Sequence, residues 1–206
     1  MNQVNYQKQL DSLLDTLGGT RPHLFLHSCC APCSSYVLEY LCRYFFITVF
    51  YYNPNISAQA EYQKRAAEQR RLIEAYNREG KGLPIRLIDG DYDPAGFLEM
   101  ARGLETCPDG GERWVGCYWR RLEETARPGA GQGADFFGTT LTIRPLKNAV
   151  KINEIGGELA AKYGIRWLPS DFKKREGYKR SVELSREYGL YRQDYCGCAY
   201  SRMSRC

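Results

Sequence analysis

Three cysteines within five residues, Cys29, Cys30 and Cys33, are the feature of this sequence best suited to chemistry. They follow a short apolar run at 24–26 and precede a segment, 36–44, with helical character. Adjacent cysteines rarely reach the geometry of a shared disulfide, whereas clustered thiolates are good ligands for a soft metal centre. Because α/β sheets place their ligands where a strand ends in a loop that feeds a helix, the spacing predicts a metal site there.

Cysteines elsewhere in the chain give weaker signals. Cys196 and Cys198, separated by one glycine, can form a strained redox-active disulfide or supply two metal ligands. Cys117 lies in a predicted helix, where a lone cysteine usually belongs to the core, and Cys107 stands in the loop before it. Two further cysteines are expected to take no part in the chemistry: Cys42 and Cys206.

The composition is that of an ordinary globular protein: of 206 residues, 43% are hydrophobic and 26% charged. No apolar run approaches the roughly 20 residues that span a bilayer, and the amphipathic segment 1–18 lacks a signal-peptide core. We therefore expect a cytoplasmic protein without membrane contact, in which nine cysteines indicate metal or redox chemistry rather than structural disulfides. With only two histidines, a histidine-rich zinc site is disfavoured.

The net charge of +5 permits contact with nucleic acid but does not require it. Basic and aromatic side chains are interleaved in one C-terminal region, which contains Lys173, Lys174, Arg175, Tyr178, Lys179, Arg180, Arg186, Tyr188 and Tyr191. Such a mixture is typical of surfaces that hold phosphates and stack bases, although a solvated basic surface has the same composition. The region is therefore a candidate nucleic-acid surface.

Strand-like and helix-like segments alternate along the whole chain. The predicted strands are 23–27, 45–52, 84–88, 135–142 and 165–168, and the predicted helices are 4–17, 34–44, 58–79, 95–103, 113–126, 147–163 and 176–188. This alternation predicts an α/β fold with a parallel sheet covered by helices on both faces. We expect a single domain over 1–206, with an N-terminal helix at 1–18, a flexible break at 128–133 and a C-terminal redox tail at 190–206.

The sequence lacks two common phosphate-binding fingerprints, Gly-x-Gly-x-x-Gly and Gly-x-x-x-x-Gly-Lys-Ser/Thr. In a related α/β fold, a nucleotide loop of the pyrophosphatase type would occupy the position of 28–34. Cysteines stand here where such a loop needs glycines to admit phosphates. The segment therefore indicates a nucleotide site that has been converted to metal binding.

Six parts of the chain form a recognisable set of motifs. The first is His-Ser-Cys-Cys-Ala-Pro-Cys-Ser at 27–34, and the others are 50–56 with 61–62, 110–118 with 121–126, 139–143 with 145–148, 170–174 and 191–198. Together they resemble the QueH family of epoxyqueuosine reductases. The resemblance runs from about residue 22 to residue 201, and the combination of motifs is highly specific.

This resemblance implies a modified Rossmann-like fold, of the nucleotide-hydrolase-like kind, and a [4Fe–4S] cluster. It implies the last step of queuosine synthesis, in which epoxyqueuosine at the wobble position of tRNA loses its epoxide oxygen. In the family, Cys29 and Cys30 would ligate the cluster together with a central Cys-x-x-Cys, to which Cys117 belongs. Cys196 and Cys198 would form a redox-active disulfide.

The chain departs from the family pattern at Trp114, which occupies the position of the first cysteine in the central Cys-x-x-Cys. One expected cluster ligand is therefore missing. Cys107 could replace it, Cys33 could complete the set, or the cluster could keep three thiolates and an open iron. The resemblance also allows an additional mononuclear iron, which Cys33 is in the right loop to serve. We favour Cys33 or the open iron over Cys107, because Cys33 is local to the other ligands.

Removal of an epoxide oxygen needs two electrons and two protons and releases water, so the reaction calls for an external electron donor. Cys196 and Cys198 could store a reducing equivalent as a dithiol, and an open iron or a second metal could polarise the epoxide oxygen. The candidate proton donors are Asp171, Asp194 and Tyr195, which the sequence does not rank.

A tRNA with a queuosine-type anticodon is the expected partner. The residues expected to hold its flipped-out base are Tyr51, Tyr52, Asn53 and Tyr191, and those expected to meet its phosphates are Lys173, Lys174 and Arg192. Each basic residue taken alone is as often a solvated surface charge. The sequence does not indicate an oligomeric state.

Two other functions stay compatible with the sequence. One is a nucleotide-dependent tRNA-modifying enzyme of a related fold, such as a thiolase, against which the missing phosphate loop counts. The other is a non-catalytic zinc-binding module, which would carry zinc without iron or sulfide. A plain dithiol oxidoreductase fits less well, because it would not need Cys29, Cys30 and Cys33.

Overall fold

The computed structural model describes residues 4–203, and side chains up to residue 201. Five strands form one parallel sheet: β1 (His23–His27), β2 (Phe46–Tyr51), β3 (Arg86–Asp89), β4 (Phe136–Thr139) and β5 (Arg166–Trp167). The helices are α1 (Tyr6–Thr16), α2 (Ala31–Leu41), α3 (Gln59–Glu79), α4 (Pro94–Ala101), α5 (Glu112–Gly131), α6 (Ala149–Tyr163), α7 (Gly177–Glu187) and α8 (Ala199–Met203). Cys206 and the end of the predicted tail lie outside the described residues.

The strand order is β3-β2-β1-β4-β5, so the chain builds outward from β1 on one side and then returns to build on the other. This order places a topological switch point between β1 and β4, where the register pairs His27 with Thr139. In open parallel sheets, ligands bind outside the carboxyl ends of the strands at such a point. The loops that follow β1 and β4 are therefore placed to form a site.

The central strand is buried on both faces. Leu24 and Leu26 belong to the core cluster that α1, α2 and α3 cover, whereas Phe25 belongs to the cluster under α5 and α6. A strand apolar on both faces is the pattern expected of a covered parallel sheet. The predicted Rossmann-like α/β fold, with helices on both faces, is thereby confirmed.

The predicted break at 128–133 is wrong, because α5 continues through Pro128 to Gly131. The amide of Gln132 still donates to the Pro128 carbonyl, at 3.0 Å. The glycine-rich composition has a packing reason instead: a Cβ at Gly129 would lie 3.2 Å from the Phe25 Cβ. The helix therefore uses glycine to approach the central strand, which is a contact that local turn signals do not reveal.

Two boundaries near the site also differ from the predictions. Helix α2 begins at Ala31 rather than near 34, so Cys33 lies in its first turn and not in a loop. Pro32 suits that first turn, because its missing N–H would have no partner there. The predicted strand at 135–142 ends at Thr139, and Leu141–Ile143 form a 3₁₀ turn that brings the following segment over the sheet edge.

Most helices present one apolar face and one polar face. The long helix α3 buries Leu72 and Tyr76 while its other positions are rich in charged residues. Such amphipathic helices bury one stripe against a core and keep the other in water. Within residues 4–203, no helix has the length and apolar character needed to cross a bilayer.

Candidate thiol-lined active site

Cys29, Cys30 and Cys33, called the thiol trio below, converge where β1 ends and α2 begins. Their sulfur atoms all lie within 4.8 Å of one another, and those of Cys29 and Cys30 are 3.9 Å apart. Cys30 and Cys33 are buried, and Cys29 is half-buried. Three converging sulfur donors are a suitable ligand set for one soft metal ion, and thiolates are also the usual ligands of iron–sulfur clusters.

A buried hydrogen-bond network fixes the loop that carries the thiol trio. The Ser28 hydroxyl donates to Gln69 Oε1 at 2.7 Å, and the Ser34 hydroxyl donates to the same oxygen at 3.0 Å. Asn53 Nδ2 donates to the Ser28 carbonyl at 2.9 Å, and the Cys29 amide donates to Thr140 Oγ1 at 3.2 Å. Residues on four separate segments therefore hold the thiols in place.

Contacts among the three thiols separate their pKa values. The neighbouring thiols hydrogen-bond to the Cys30 sulfur and lower the pKa of Cys30 well below its usual value. The pKa of Cys29 is raised, chiefly by its hydrogen bond with Cys30, and that of Cys33 is raised by both neighbours and by burial. The trio thus favours one thiolate, and deprotonation of the other two requires added positive charge.

The thiol trio forms part of the wall of a cavity, called the thiol cavity below. The other lining residues are Arg65, Asp109, Trp114, Arg121, Leu141, Arg144, Leu146, Lys147, Gln193, Tyr195, Cys196 and Ser201. Four of these are cations and one is an acid. Burial alone would lower the pKa of Arg144, but the nearby sulfur atoms of the cavity raise it.

Arg121 on α5 is the buried centre of the site, and sequence reasoning did not select it. Its Nε donates to His27 Nε2 at 3.3 Å, and its Nη2 donates to Asn53 Oδ1. Its Nη1 lies 4.0 Å from the Cys117 sulfur. One signal for Arg121 was available in the sequence. Arg121 follows Cys117 by four residues, a spacing that puts both side chains on one face of a helix. Burial and the adjacent guanidinium lower the pKa of His27 to about 3, so His27 is neutral.

Cys196 and Cys198 differ in their surroundings. The Cys196 sulfur lines the thiol cavity, 3.7 Å from Lys147 Nζ and 3.8 Å from Asn55 Nδ2. Burial raises the pKa of Cys196, but the positive charges of Lys147 and Arg121 outweigh it, and the net shift is downward. Burial raises the pKa of Cys198. Cys196 is therefore the more acidic thiol of the pair, and both cysteines are free.

The other predicted ligands lie apart from the thiol trio. Cys117 shares a small adjoining cavity with Cys196 and Cys198, and burial raises its pKa. It is not one of the sulfur atoms that lie within 4.8 Å of one another. Cys107 lies in the loop before α5, which Arg113 holds by donating to several carbonyls, and it does not line the thiol cavity.

Trp114, which stands where the family pattern has a cysteine, forms a wall of the thiol cavity. Its indole Nε1 donates to Asp109 Oδ1 at 3.1 Å, and the Lys147 ammonium lies 3.4 Å from the centroid of its ring. A cation over an indole face is a favourable contact. The tryptophan therefore holds Lys147 in position beside Cys196, in place of supplying a thiol.

The three candidate proton donors occupy different places. Tyr195 lines the thiol cavity. Asp171 forms an ion pair with Lys173 at 2.9 Å and lines a separate pocket beside α1. Asp194 is exposed and is not among the lining residues of the thiol cavity. Only Tyr195 of the three is thus in the cavity wall.

The residues predicted to bind tRNA do not share one surface. Tyr51, Tyr52 and Asn53 are each less than 5% exposed, and Asn53 serves the hydrogen bonds around Ser28 and Arg121 described above. Of the other predicted tRNA-binding residues, Tyr191 contacts Glu61 and Arg192 contacts Ser185. Lys173 contacts the Lys147 carbonyl, and Lys174 lines the pocket beside α1. In this structure these side chains therefore contact other parts of the protein and stabilise the fold.

The predicted basic region is largely neutralised by the protein itself. Arg175 pairs with Asp11 at 2.6 Å, and Arg180 pairs with Glu39 at 2.7 Å. Lys179 lies 3.4 Å from Glu176 on the same helix. The two long-range pairs join elements distant in sequence, so the composition of the segment alone did not reveal them.

The fold and the site together define a parallel α/β protein with a thiol-lined, cation-rich cavity at the carboxyl edge of its sheet. The model of the family described as "Epoxyqueuosine reductase QueH" matches residues 24–204. The chain therefore belongs to the epoxyqueuosine reductase QueH family, and the resemblance found in its motifs is confirmed.

Curated relatives from distant bacteria agree. A protein named Epoxyqueuosine reductase QueH from Staphylococcus epidermidis is 41% identical, over 98% of this chain and 87% of the relative. The protein of that name from Streptococcus pyogenes is 40% identical, over 97% of this chain and 78% of the relative. The one from Thermotoga maritima is 32% identical, over 88% of this chain and 91% of the relative.

Proposed function

We propose that the thiol cavity holds a [4Fe–4S] cluster with which the chain reduces epoxyqueuosine in tRNA to queuosine. Membership of the family makes the chain an epoxyqueuosine reductase, an oxidoreductase of tRNA queuosine biosynthesis. The observation that carries the cluster is the convergence of three sulfur atoms within 4.8 Å in a cavity wall. Thiolate sulfur is the usual protein ligand of such clusters.

Buried groups around the thiol trio also fit an anionic cluster. The Tyr51 hydroxyl, an electrostatic neighbour of Cys30, has no hydrogen-bond partner in the described part of the chain. The same holds for Nε2 of Gln69, whose Oε1 binds the serines flanking the trio. Buried donors without acceptors are costly, and sulfur atoms of a cluster would give them acceptors. The cations of the cavity would offset the cluster's negative charge.

The thiol trio would hold the cluster, with Cys33 in place of the ligand lost at Trp114. Cys107 is excluded from this role in the proposal, because it does not line the thiol cavity. If an additional mononuclear iron is bound, Cys196 is the thiol that remains in the cavity to serve it. Cys117, whose sulfur lies 4.0 Å from Arg121 Nη1, shares the adjoining small cavity with Cys196 and Cys198 and would act on that pair rather than on the cluster.

When bound, the cluster supplies electrons one at a time to a reaction that consumes two electrons and two protons per epoxide. Cys196 and Cys198 release two electrons if they are oxidised to a disulfide, which matches one epoxide, and an external donor must then reduce them again. Lys147, whose Nζ lies 3.7 Å from the Cys196 sulfur, would favour the thiolate form of Cys196 in this step. Of the proposed proton donors, the Tyr195 hydroxyl is the one in the cavity wall.

The partners follow from the reaction. The proposed substrate is a tRNA with a queuosine-type anticodon, the proposed reductant is an external electron donor, and the proposed compartment is the cytoplasm, where both are available. The eight described cysteines are all free, which suits a reducing compartment. We propose that the described residues 4–203 belong to one α/β domain, to which the N-terminal helix and the C-terminal tail are attached.

Iron and acid-labile sulfide per chain test the cluster. After anaerobic reconstitution, the wild-type protein should be brown, contain about four of each, and reduce epoxyqueuosine in tRNA when given a one-electron donor. Cys33→Ser should lose most of both, whereas Cys107→Ser, a matched change outside the thiol cavity, should keep them. Zinc without sulfide, or loss in Cys107→Ser with retention in Cys33→Ser, would contradict the proposal.

A further inference from the structure

We propose that Leu146 is the wedge that enters the anticodon stack when the wobble nucleotide moves into the thiol cavity. The inference rests on the proposed function, because it concerns how tRNA presents its base to the site. It assigns a task to a side chain that neither the thiol chemistry nor the fold requires.

The thiols lie deep in the thiol cavity, and this depth is the reason that a wedge is needed. Cys30 and Cys33 are 1% and 3% exposed, whereas Leu146, which lines the same cavity, is 72% exposed. The thiols are therefore at the inner end and Leu146 is at the rim. A base stacked in an anticodon loop cannot reach buried sulfur atoms unless its nucleotide swings out of the stack. The vacated position is then a gap that an apolar side chain at the rim can fill.

Leu146 is unusual among the described residues. The large apolar side chains that stand out in solvent there are Val4 at 51%, Leu98 at 48% and Leu146 at 72%. A single exposed leucine normally needs no explanation. Leu146 is the one of the three that lines the thiol cavity. Its position, rather than its exposure alone, indicates a partner that covers it.

The backbone beside Leu146 is held firmly enough to support a wedge. The Arg144 amide donates to the Leu141 carbonyl at 3.3 Å, and the Lys147 amide donates to the Arg144 carbonyl at 3.0 Å. The Lys147 carbonyl also accepts from Lys173 Nζ at 3.4 Å. Pro145 removes further backbone freedom. Leu146 therefore stands on a tight, braced turn, so its insertion costs little ordering entropy.

The charges around Leu146 suit RNA. Arg144 and Lys147, on either side of it, both line the thiol cavity, and neither forms an ion pair with a carboxylate in residues 4–203. The positive charge of these two side chains in the cavity draws a phosphate backbone toward it and leaves the exposed apolar tip of Leu146 for the bases. Leu98 provides the contrast, because its surface pocket has three carboxylates, of Asp93, Glu99 and Glu105, beside the two arginines Arg102 and Arg120, and so has no excess of positive charge. Leu98 is thus an exposed leucine that can serve as a control for Leu146, because its surroundings do not attract RNA.

The test uses an anticodon stem-loop RNA with 2-aminopurine next to the wobble position, because this base becomes more fluorescent when it loses a stacking neighbour. Wild-type protein should raise the fluorescence on binding. Leu146→Ala should bind the RNA but give little rise, Leu146→Met should retain it, and Leu98→Ala should behave as wild type. Turnover of epoxyqueuosine-containing tRNA should fall about tenfold in Leu146→Ala, with iron content unchanged.

Two results would overturn the wedge: a full fluorescence rise in Leu146→Ala, or no rise with wild-type protein that nevertheless converts tRNA. Both leave the reductase activity standing. Failure of the reconstituted wild-type protein to reduce epoxyqueuosine in tRNA would instead contradict the proposed function and remove the wedge with it. Because Leu146 is exposed, its replacement does not open a cavity in the core.

Discussion

The cations of the thiol cavity and those around α7 face different partners. Around α7, Arg175 and Arg180 pair with carboxylates of other helices, at 2.6 and 2.7 Å. In the thiol cavity, Arg144 and Lys147 have no carboxylate partner within 4–203 and face sulfur atoms instead. The region around α7 has the composition of a nucleic-acid site, yet its arginines form ion pairs that join this region to α1 and α2. The cavity has fewer cations. Of these, Arg65 pairs with Glu61, whereas the charges of Arg144 and Lys147 are available to a ligand.

The net charge of a segment is therefore a poor guide to whether that segment binds nucleic acid. Only the charge that is not paired within the protein is available to a ligand. Exposed ion pairs are worth little in stability, whereas a buried cation without a carboxylate must be matched by something else. In this protein the match is a set of thiols and the proposed anionic cluster. The comparison makes separate predictions for the two groups.

The largest effect is expected from Lys147→Met. Without the ammonium 3.7 Å from its sulfur, Cys196 should become less acidic, since burial raises its pKa and only the charges of Arg121 and Arg65 would still lower it. We expect reductase kcat to fall about 100-fold and the rate of Cys196 alkylation at neutral pH to fall about tenfold. Lys174→Met should leave both rates within about twofold of wild type. If the two substitutions lowered these rates equally, the cations of the thiol cavity would not differ in function from those around α7.

A smaller effect is expected from Arg144→Gln. Removing a positive charge beside the thiol trio disfavours the more negative reduced state of a bound cluster, so the reduction potential should become more negative. The change should be on the order of 1 kcal/mol, measured by redox titration followed by electron paramagnetic resonance. Arg175→Gln is the matched control and should not move the potential. An unchanged potential in Arg144→Gln would show that this guanidinium does not sense the cavity.

Arg180→Gln should affect stability modestly and chemistry not at all. Its pair with Glu39 joins α7 to α2, but the guanidinium is 38% exposed. We expect the free energy of unfolding to fall by less than about 1 kcal/mol in urea titrations, with tRNA affinity unchanged. A clear loss of tRNA affinity would restore the α7 region as a nucleic-acid surface.

The smallest effect is expected from Asp171→Asn. Asp171 is paired with Lys173 and lines a pocket outside the thiol cavity. Reductase kcat should therefore stay within about threefold of wild type, whereas Tyr195→Phe, which alters the cavity wall, should lower it further. The reverse order in steady-state assays at several pH values would assign the proton donor to Asp171.

The sheet and the place of the thiols could be predicted from the sequence, because both follow from short-range patterns. Apolar strands alternating with helices imply a parallel sheet, and the loop after His27 then has to lie at its carboxyl edge. The continuation of α5 past Pro128 could not be predicted, because it depends on Gly129 meeting Phe25, a contact between segments distant in sequence. Local glycine and proline signals point the other way.

Half of the candidate site was also beyond the sequence. The trio is visible as a motif, but Arg121 and Lys147 resemble any other basic residues until the fold places them beside Cys117 and Cys196. Tyr51 and Asn53 are predicted to bind tRNA, Tyr51 as an aromatic side chain that could hold the flipped-out base. In the structure these side chains are 0% and 1% exposed. Motif matches identify positions that matter without saying which task each performs.

The network that ties Ser28 and Ser34 to Gln69 has a consequence for the life of the enzyme. The loop that carries the thiols is held by hydrogen bonds within the polypeptide, and these bonds would support the loop with or without a cluster. If oxygen destroys a cluster held there, the chain can keep its fold and accept a replacement. Damage of that kind would be repairable by reloading rather than by new synthesis.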